Sequence, residues 1–523
     1  MTTNNINAVW FLGRTTTTAG EDLWKGYAYA GARSIPITSA SALDSSLAEL
    51  VDGKRLVFAT SCGLLARRIR ARLRGSLFDL ELASKIIIRH RSRTPTHVLA
   101  RVLRSHNKEA LSVNDSLRHI RGERAVPDPH LRTLARMTNL LRRRLRSLGE
   151  LDRYVTIEMP VRRCLWREEC KAIQINDSFL KSSSGRQVRT EEVRAESIKN
   201  LGFDATELLT STHRRRQHLA QFFGEEAAER SSGNALYALL KEHSSSDQGV
   251  ERIYELISRL KNGSFLSEIW ALRNDATYPD YDTIGTVTGR ILLKYPGLQW
   301  AKKSDRPAIK AASNKTIHYF DYRCFEPSIL AAASLDPNLM KDCEDDLYAR
   351  AANILGFSGP ARSEGKRVIL CLLYGMQPRK ISASLAKALS LEESEAAARL
   401  RCLTLRYEQA LNFKNRLEDD ATRTGVVTAI RGVIRPIRAN QKHLALNHFL
   451  QASGALIFKK ALSGVLSIDE SIDLIAPMHD GMALSIPLDF EIKHLSLITS
   501  TMKNAFTELF PTATPIVTQT AWS

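Results

Sequence analysis

Two aspartates, Asp321 and Asp480, sit in apolar, strand-like runs 159 residues apart, "IHYFDYRCFEPSIL" and "IDLIAPMHDGMALSI". A carboxylate at the end of such a run costs free energy unless something binds it, so the pair predicts a shared site for a hard, oxygen-seeking cation. Between them, "RSEGKRVILCLLYG" carries Arg362, Lys366, Leu370 and Tyr374 at intervals of four. On a helix these form one slowly drifting stripe, two cations at one end and an apolar pair at the other. That stripe suits a nucleotide lying along it, triphosphate on Arg362 and Lys366, sugar and base near Leu370 and Tyr374. An isolated RxxxK helix is more often a solvated basic turn followed by a core stripe, so its context decides the reading.

The elements that must position these residues follow from the pattern. Residues 1–149 open with two β-like runs, "NAVWFLG" and "LWKGYAYAG", and continue with apolar and basic residues at helical spacing in "LLARRIRARLRGSLFDLELASKIII", which reads as a small α/β domain. From Glu150 to about Leu272 the pattern is almost wholly helical, with Ser-rich breaks near Ser182 and Ser244, and predicts an extended helical arm. From about Arg273 onward, β-like runs ending in Asp321 and Asp480 enclose a helical block from Asp345 to about Arg423.

Lys and Arg number 75 against 56 Asp and Glu, a net charge of +19 that favours a polyanionic partner. On charge alone a ribosome-like or membrane-surface protein stays open. The excess is uneven: residues 1–149 hold 26 Lys plus Arg and 11 Asp plus Glu, a net of +15, which leaves +4 for the rest. Seven scattered cysteines without CxxC spacing argue against a disulfide framework or a zinc site and fit a reducing cytoplasm. No stretch approaches the roughly 20 apolar residues of a membrane span, so a soluble, unprocessed cytoplasmic protein is expected.

With the flanks included, the sequence resembles the family A DNA polymerases. Their first palm motif, DYSxIELRxLAxLS, is matched by "DYRCFEPSILAAAS" through Asp321, Tyr322, Glu326, Leu330, Ala331 and Ser334. Their fingers motif, RxxxKxxx(F/Y)xxxYG, is matched by Arg362, Lys366, Tyr374 and Gly375, with Leu370 at the aromatic position. Their second palm motif, VHDE, appears as Met478, His479, Asp480 and Gly481. "TVTGRILLKYPGLQW" is similar to TxTGRxxxxxPNLQ and "ALNHFLQASGALIFKKAL" to AxNxxxQGxAADxxKxAM, which places Arg290, Gln299, Asn447 and Gln451. The likeness runs over nearly all of residues 150–523, including the terminal Trp522.

The resemblance implies an α+β multidomain protein with the right-hand polymerase fold: thumb 150–272, palm 273–344 and 424–523, fingers 345–423. It implies that Asp321 and Asp480, with the Tyr322 carbonyl, hold two Mg²⁺ ions, and that Arg362 and Lys366 hold the β and γ phosphates of a dNTP, Lys366 serving as general acid. Tyr374 would stack by the templating position and Glu326 would crowd the sugar C2′. Arg290, Gln299, Asn447, Gln451 and His479 would touch the minor groove and terminus of primer–template DNA, where the acceptors are common to all base pairs. The implied activity is template-directed DNA synthesis by a monomer.

The sequence departs from the family at Leu370, at Gly481, which replaces a carboxylate, and at His443, where relatives often carry Arg. Residues 1–149 resemble an RNase H-like 3′–5′ exonuclease whose metal-binding acids are missing: "FLGRTTT" has none, and the next positions fall near Ser61, Leu65, Thr133 and Met137. The expectation is a degenerate exonuclease domain and no proofreading, with no 5′ nuclease. Asp79-Leu80-Glu81 forms a DxE, but a domain begun there is too short for the fold. Arg67, Arg68, Arg70, Arg72, Arg74, Arg89, Arg91, Arg93 and Arg142 to Arg144 could track a phosphate backbone or bind a replication accessory protein, or form a solvated surface. Rival readings are a single-subunit RNA polymerase, which Glu326 and the TGR segment disfavour, a low-fidelity gap-filling or lesion-bypass polymerase, and a non-catalytic DNA-binding replication protein.

Overall fold

The chain's first segment builds a mixed sheet. Strands β1 (Ala8–Thr16), β2 (Asp22–Ala30) and β3 (Arg33–Ile37) are antiparallel, and β4 (Leu56–Phe58) and β5 (Leu77–Asp79) add in parallel, giving the order β3-β2-β1-β4-β5. The structure, a computed structural model, describes residues 8–16, 22–30, 33–37, 56–58, 77–87, 141–183, 190–230, 234–274, 276–490 and 492–522. Helix α1 (Leu80–Ile87) starts directly after β5, because Asp79 Oδ1 accepts the Leu82 amide at 2.9 Å and so caps it. Helical periodicity across "SLFDLELASKII" hid this strand. Three residues are too few to display a period, and pairing with β4 overrides local propensity. Ser61, Leu65, Thr133, Met137 and Arg67, Arg68, Arg70, Arg72, Arg74, Arg89, Arg91 and Arg93 lie outside the described residues. Arg142, Arg143 and Arg144 are exposed, between the buried Leu141 and Leu145.

Helix α2 runs through Leu151–Arg153, a π-helical turn Tyr154–Glu158 and Met159–Glu168. Its inner face carries charge: Arg153 reaches Glu150 at 2.7 Å and Glu158 at 3.0 Å, and Glu158 meets Lys459 at 2.7 Å.

By internal packing the chain divides into one unit of Met1–Lys171, Pro279–Lys294 and Asn314–Ala521 and another of Ala172–Tyr278, Tyr295–Ser313 and Trp522–Ser523. The second unit is mostly helical: α3 (Asp177–Ser182), α4 (Thr190–Leu201), α5 (Glu207–Thr210), α6 (Thr212–Arg230, broken at Gly224), α7 (Asn234–His243) and α8 (Gln248–Leu272). Its core joins Val193, Leu208, Leu219, Leu236, Leu240 and Ile253. Trp522 also belongs to it, its indole donating to the Arg306 carbonyl at 3.2 Å under the Arg306 guanidinium.

In the first unit, β6 (Asp280–Asp282) and β7 (Leu292–Tyr295, its last residue counted with the other unit) form a small ribbon, and β8 (Lys315–Tyr322) enters the main sheet. Six further helices follow in order: α9 (Phe325–Ser334), α10 (Pro337–Glu344), α11 (Leu347–Leu355), α12 (Arg362–Leu373), α13 (Pro378–Leu389) and α14 (Glu393–Arg406). Helix α15 (Glu408–Thr424), a ribbon of β9 (Val426–Thr428) and β10 (Ile434–Pro436), and the buried α16 (Leu444–Val465) lead to β11 (Asp473–Pro477), β12 (Gly481–Pro487), α17 (Ile492–Thr507) and β13 (Val517–Ala521). The main sheet is wholly antiparallel in the order β11-β12-β8-β13. Among the described residues no helix is long and apolar enough to cross a membrane.

Candidate active site

The two aspartates of the sequence pattern meet on the main sheet. Asp321 is the penultimate residue of β8, facing Gly481 on β12 and Thr518 on β13. Asp480 lies in the turn between β11 and β12 rather than at a strand end. The Met478 amide closes that turn on the Gly481 carbonyl at 2.8 Å, and the Tyr322 amide, donating to the Asp480 carbonyl at 3.1 Å, ties it to β8. Burial and the neighbouring Asp480 charge push the Asp321 carboxyl up to about 7, against the opposing pull of the Tyr319 hydroxyl, which donates to Asp321 Oδ1 at 2.9 Å, and of Lys366. Burial also raises Asp480, with His479 and Arg290 acting in the other direction. Two half-buried carboxyls this close together demand positive charge beside them.

Arg290 and Lys366 supply such charge. Arg290 follows the tight turn at Gly289 (φ 79°), where its amide donates to Thr286 Oγ1 at 3.0 Å. Its guanidinium binds Glu326 Oε1 at 2.9 Å, while the Tyr374 hydroxyl donates to Glu326 Oε2 at 2.8 Å. Gln451, on α16, lies beside the same hydroxyl. Burial, then the Glu326 charge, raises the Tyr374 phenol well above its usual range, so it remains a donor. Partial burial and the Arg290 charge hold the His479 imidazole below its usual range, so the ring is neutral near pH 7.

Helix α12 carries the basic stripe. Arg362 is exposed, donates to Asp346 at 2.9 and 3.2 Å, and lies over the Tyr348 ring at 5.0 Å; Lys366 stands 5.7 Å from the same ring. Asp346 also caps α11 through the amides of Tyr348 at 3.2 Å and Ala349 at 3.1 Å. Burial alone would raise its carboxyl, but these amides and Arg362 bring it below the ordinary value. Gly365 permits the arrangement: a Cβ there would strike the Tyr348 carbonyl, so only glycine lets α12 lie this close to α11. Leu370 is half-buried one turn further on, and Tyr374 ends the helix.

Asp321, Asp480, His479, Arg290, Glu326, Tyr374, Gln451 and Lys366 are thus linked through direct contacts or mutual charge effects. Asn447, one turn before Gln451, keeps a buried Oδ1 without a hydrogen-bond partner. The Tyr322 side chain turns inward, donating to the Met502 carbonyl at 2.5 Å and stacking on Phe325, which leaves only its backbone oxygen as a candidate ligand. Gln299 belongs to the other unit. Sequence reasoning missed Tyr319, Asp346, Tyr348 and Gly365. The alternation of β8, which puts Tyr319 on the face of Asp321, could have exposed the first.

Among the described residues no group of three or more His, Cys, Asp or Glu side chains is arranged to hold a metal. The paired carboxylates nonetheless fit Mg²⁺, which binds one or two carboxylates and completes its shell with water and phosphate oxygens rather than an all-protein cage.

Known proteins resemble this chain in family and fold. The family model for DNA polymerase family A matches residues 213–522. DNA polymerase I of Borreliella burgdorferi is 24% identical over 421 residues, covering 74% of this chain and 46% of that protein. DNA polymerase I of Aquifex aeolicus is 23% identical over 251 residues, 45% of this chain and 43% of that protein. The chain therefore spans less than half the length of these relatives. The solved POL domain of Pol1 from M. smegmatis, in complex with DNA primer-template and dNTP, superposes with a TM-score of 0.74 at 18% identity, covering 99% of this chain and 96% of that one. The fold is the right-hand polymerase fold.

Proposed function

Since the chain belongs to DNA polymerase family A, we propose that it is a template-directed DNA polymerase that transfers a dNMP to a primer 3′-hydroxyl and releases pyrophosphate. The observation that carries this reading is the side-by-side placement of Asp321 and Asp480 with the charge of Lys366 acting on Asp321. Asp321, Asp480 and the Tyr322 carbonyl would hold two Mg²⁺ ions, which when bound supply Lewis-acid stabilisation of the attacking and leaving oxygens. Arg362 and Lys366 bind the β and γ phosphates, and Lys366 protonates the departing pyrophosphate. Glu326, clamped by Arg290 and Tyr374, stands against the sugar C2′, with Leu370 and Tyr374 beside sugar and base. Arg290, Gln299, Asn447, Gln451 and His479 take the primer–template minor groove. Substrates of this kind occupy the similar M. smegmatis domain. In this reading 150–272 is the thumb, 273–344 with 424–523 the palm, and 345–423 the fingers.

The N-terminal domain is, in this proposal, an exonuclease scaffold without the nuclease. Its mixed sheet, three antiparallel strands continued by two parallel ones, is of the kind an RNase H-like domain is built on, and β1 has no acidic residue. Asp79 is committed elsewhere, capping α1 and facing Arg162 at 3.7 Å. The exposed Arg142, Arg143 and Arg144 support a DNA or partner contact through this basic part.

Primer extension with Mg²⁺ on a labelled hairpin tests the reading. Extension by the wild type and its loss in Asp480→Ala is the expected result; no extension by the wild type sinks it. Withholding dNTPs should leave the primer intact, and shortening would overturn the loss of proofreading.

A further inference from the structure

Position 481 lacks a side chain where the sheet brings it opposite Asp321. A Cβ built there would stand 2.6 Å from Asp321 Oδ1, 2.7 Å from the Tyr319 hydroxyl and 2.5 Å from the Phe320 carbonyl oxygen. The space a side chain would take is therefore filled, by the Phe320 carbonyl, the Asp321 carboxylate and the Tyr319 hydroxyl together. Tyr319 and Asp321 are two apart on β8 and so share a face of the sheet. Their β12 partners are Ala483 and Gly481, which leave room for the ring to lie along the strand. The phenol ends 2.9 Å from Asp321 Oδ1, to which it donates.

We infer that Tyr319 is a positioning residue for the proposed metal centre: its hydroxyl, donating to Asp321 Oδ1, fixes the Asp321 carboxylate in one rotamer. One oxygen of Asp321 is engaged by the phenol, which leaves the other for the cation it would share with Asp480. A carboxylate held by a hydrogen bond does not have to be ordered when it ligates, so the metal binds more tightly than to a swinging side chain. The sequence has no carboxylate at 481, and any side chain there would first meet the Phe320 carbonyl and the Asp321 carboxylate and then the Tyr319 hydroxyl. This inference deepens the polymerase reading and rests on Asp321 being a ligand.

The test is Tyr319→Phe, which keeps the ring and removes the donor. Mn²⁺ binding to the DNA-free protein, followed by the electron paramagnetic resonance signal of free Mn²⁺, is expected to weaken about tenfold, the low end of what losing a hydrogen bond to a metal ligand costs. The Mg²⁺ concentration for half-maximal primer extension should rise by a similar factor, while primer–template affinity and the unfolding temperature stay at wild-type values. A purely structural tyrosine would move the last two and not the first two. Mn²⁺ binding and Mg²⁺ requirement equal to wild type would overturn the inference while leaving the polymerase reading intact. If the wild type binds Mn²⁺ through Asp321 but extends no primer, the polymerase reading fails and the binding comparison still decides the role of Tyr319.

Discussion

Tyr374 donates its hydroxyl to Glu326 at 2.8 Å, and because Arg290 takes the other carboxylate oxygen at 2.9 Å, Glu326 is held in a single orientation. Charge-assisted bonds to both oxygens fix direction as well as position. If this carboxylate is the wall against a ribose 2′-hydroxyl, Glu326→Ala should raise the ratio of kcat/KM for a ribonucleotide to that for its deoxy counterpart by roughly tenfold or more. Tyr374→Phe, which frees one oxygen only, should raise it less. Paired single-nucleotide kinetics check both, and an unchanged ratio in Glu326→Ala would remove the wall.

Gly365 sets the spacing of α11 and α12. A methyl at this position would meet the Tyr348 carbonyl and come within 2.9 Å of the Ala352 amide nitrogen, both backbone atoms that cannot rotate away. Gly365→Ala should therefore lower stability by about 1–3 kcal/mol, the usual cost of overpacking. It should also raise the dNTP KM, since Arg362 and Lys366 ride on the displaced helix, with little change in DNA affinity. Thermal unfolding and steady-state kinetics together check this.

Tyr348 offers its ring to both cations proposed to hold phosphate, at 5.0 Å from Arg362 and 5.7 Å from Lys366. Cation–π attraction at such exposed sites contributes about 0.5–1 kcal/mol, so losing the ring should raise the dNTP KM about two- to fivefold. Tyr348→Leu is expected to show that rise and Tyr348→Phe to match the wild type. A defect in the phenylalanine variant would assign the effect to the hydroxyl instead.

Part of this site can be read from the chain and part cannot. Asp321, Asp480 and the Arg362–Lys366 stripe declare themselves because apolar runs and four-residue spacing are local properties. The clamp on Glu326 joins residues 36 and 48 positions apart, and nothing local foretells which carboxylate oxygen each partner takes. Tyr348 and Asp346 acquire their place from the approach of α11 to α12, which depends on the absence of a Cβ at Gly365. In the N-terminal sheet, Leu77–Asp79 is too short to display alternation and takes its strand geometry from β4.

Lys459 and Glu158 form an ion pair with no exposed side-chain surface, joining α16 to α2. Removing one charge from such a pair strands the other, so Lys459→Met should cost about 3 kcal/mol or more. Arg153, already bound to Glu150 and Glu158, moderates the loss. Lys459→Met combined with Glu158→Gln should be less destabilised than the two single changes added together, and denaturant unfolding of the four proteins measures the coupling. Strict additivity would mean the pair is not energetically linked.

Asp342 supplies a pH signature of the helical block. Burial works to raise its carboxyl, but Arg406, donating at 2.6 and 2.9 Å, and the Tyr407 hydroxyl at 2.8 Å outweigh it and leave the carboxyl below its ordinary value. The folded pKa is thus lower than the unfolded value of about 3.9, and the native state binds fewer protons in the interval between them. The stability this contributes is complete above about pH 4 and is lost as pH falls through the folded pKa. Asp342→Asn should be destabilised by about 2 kcal/mol near neutrality, the scale of hydrogen bonds to a charged group. The gap to wild type should narrow as pH falls below about 4 and through the lowered folded pKa, where the native carboxyl of the wild type becomes protonated. Unfolding curves from pH 3 to 7 check this, and a gap that stays constant over the range would mean that the carboxylate charge contributes nothing through Arg406 and Tyr407.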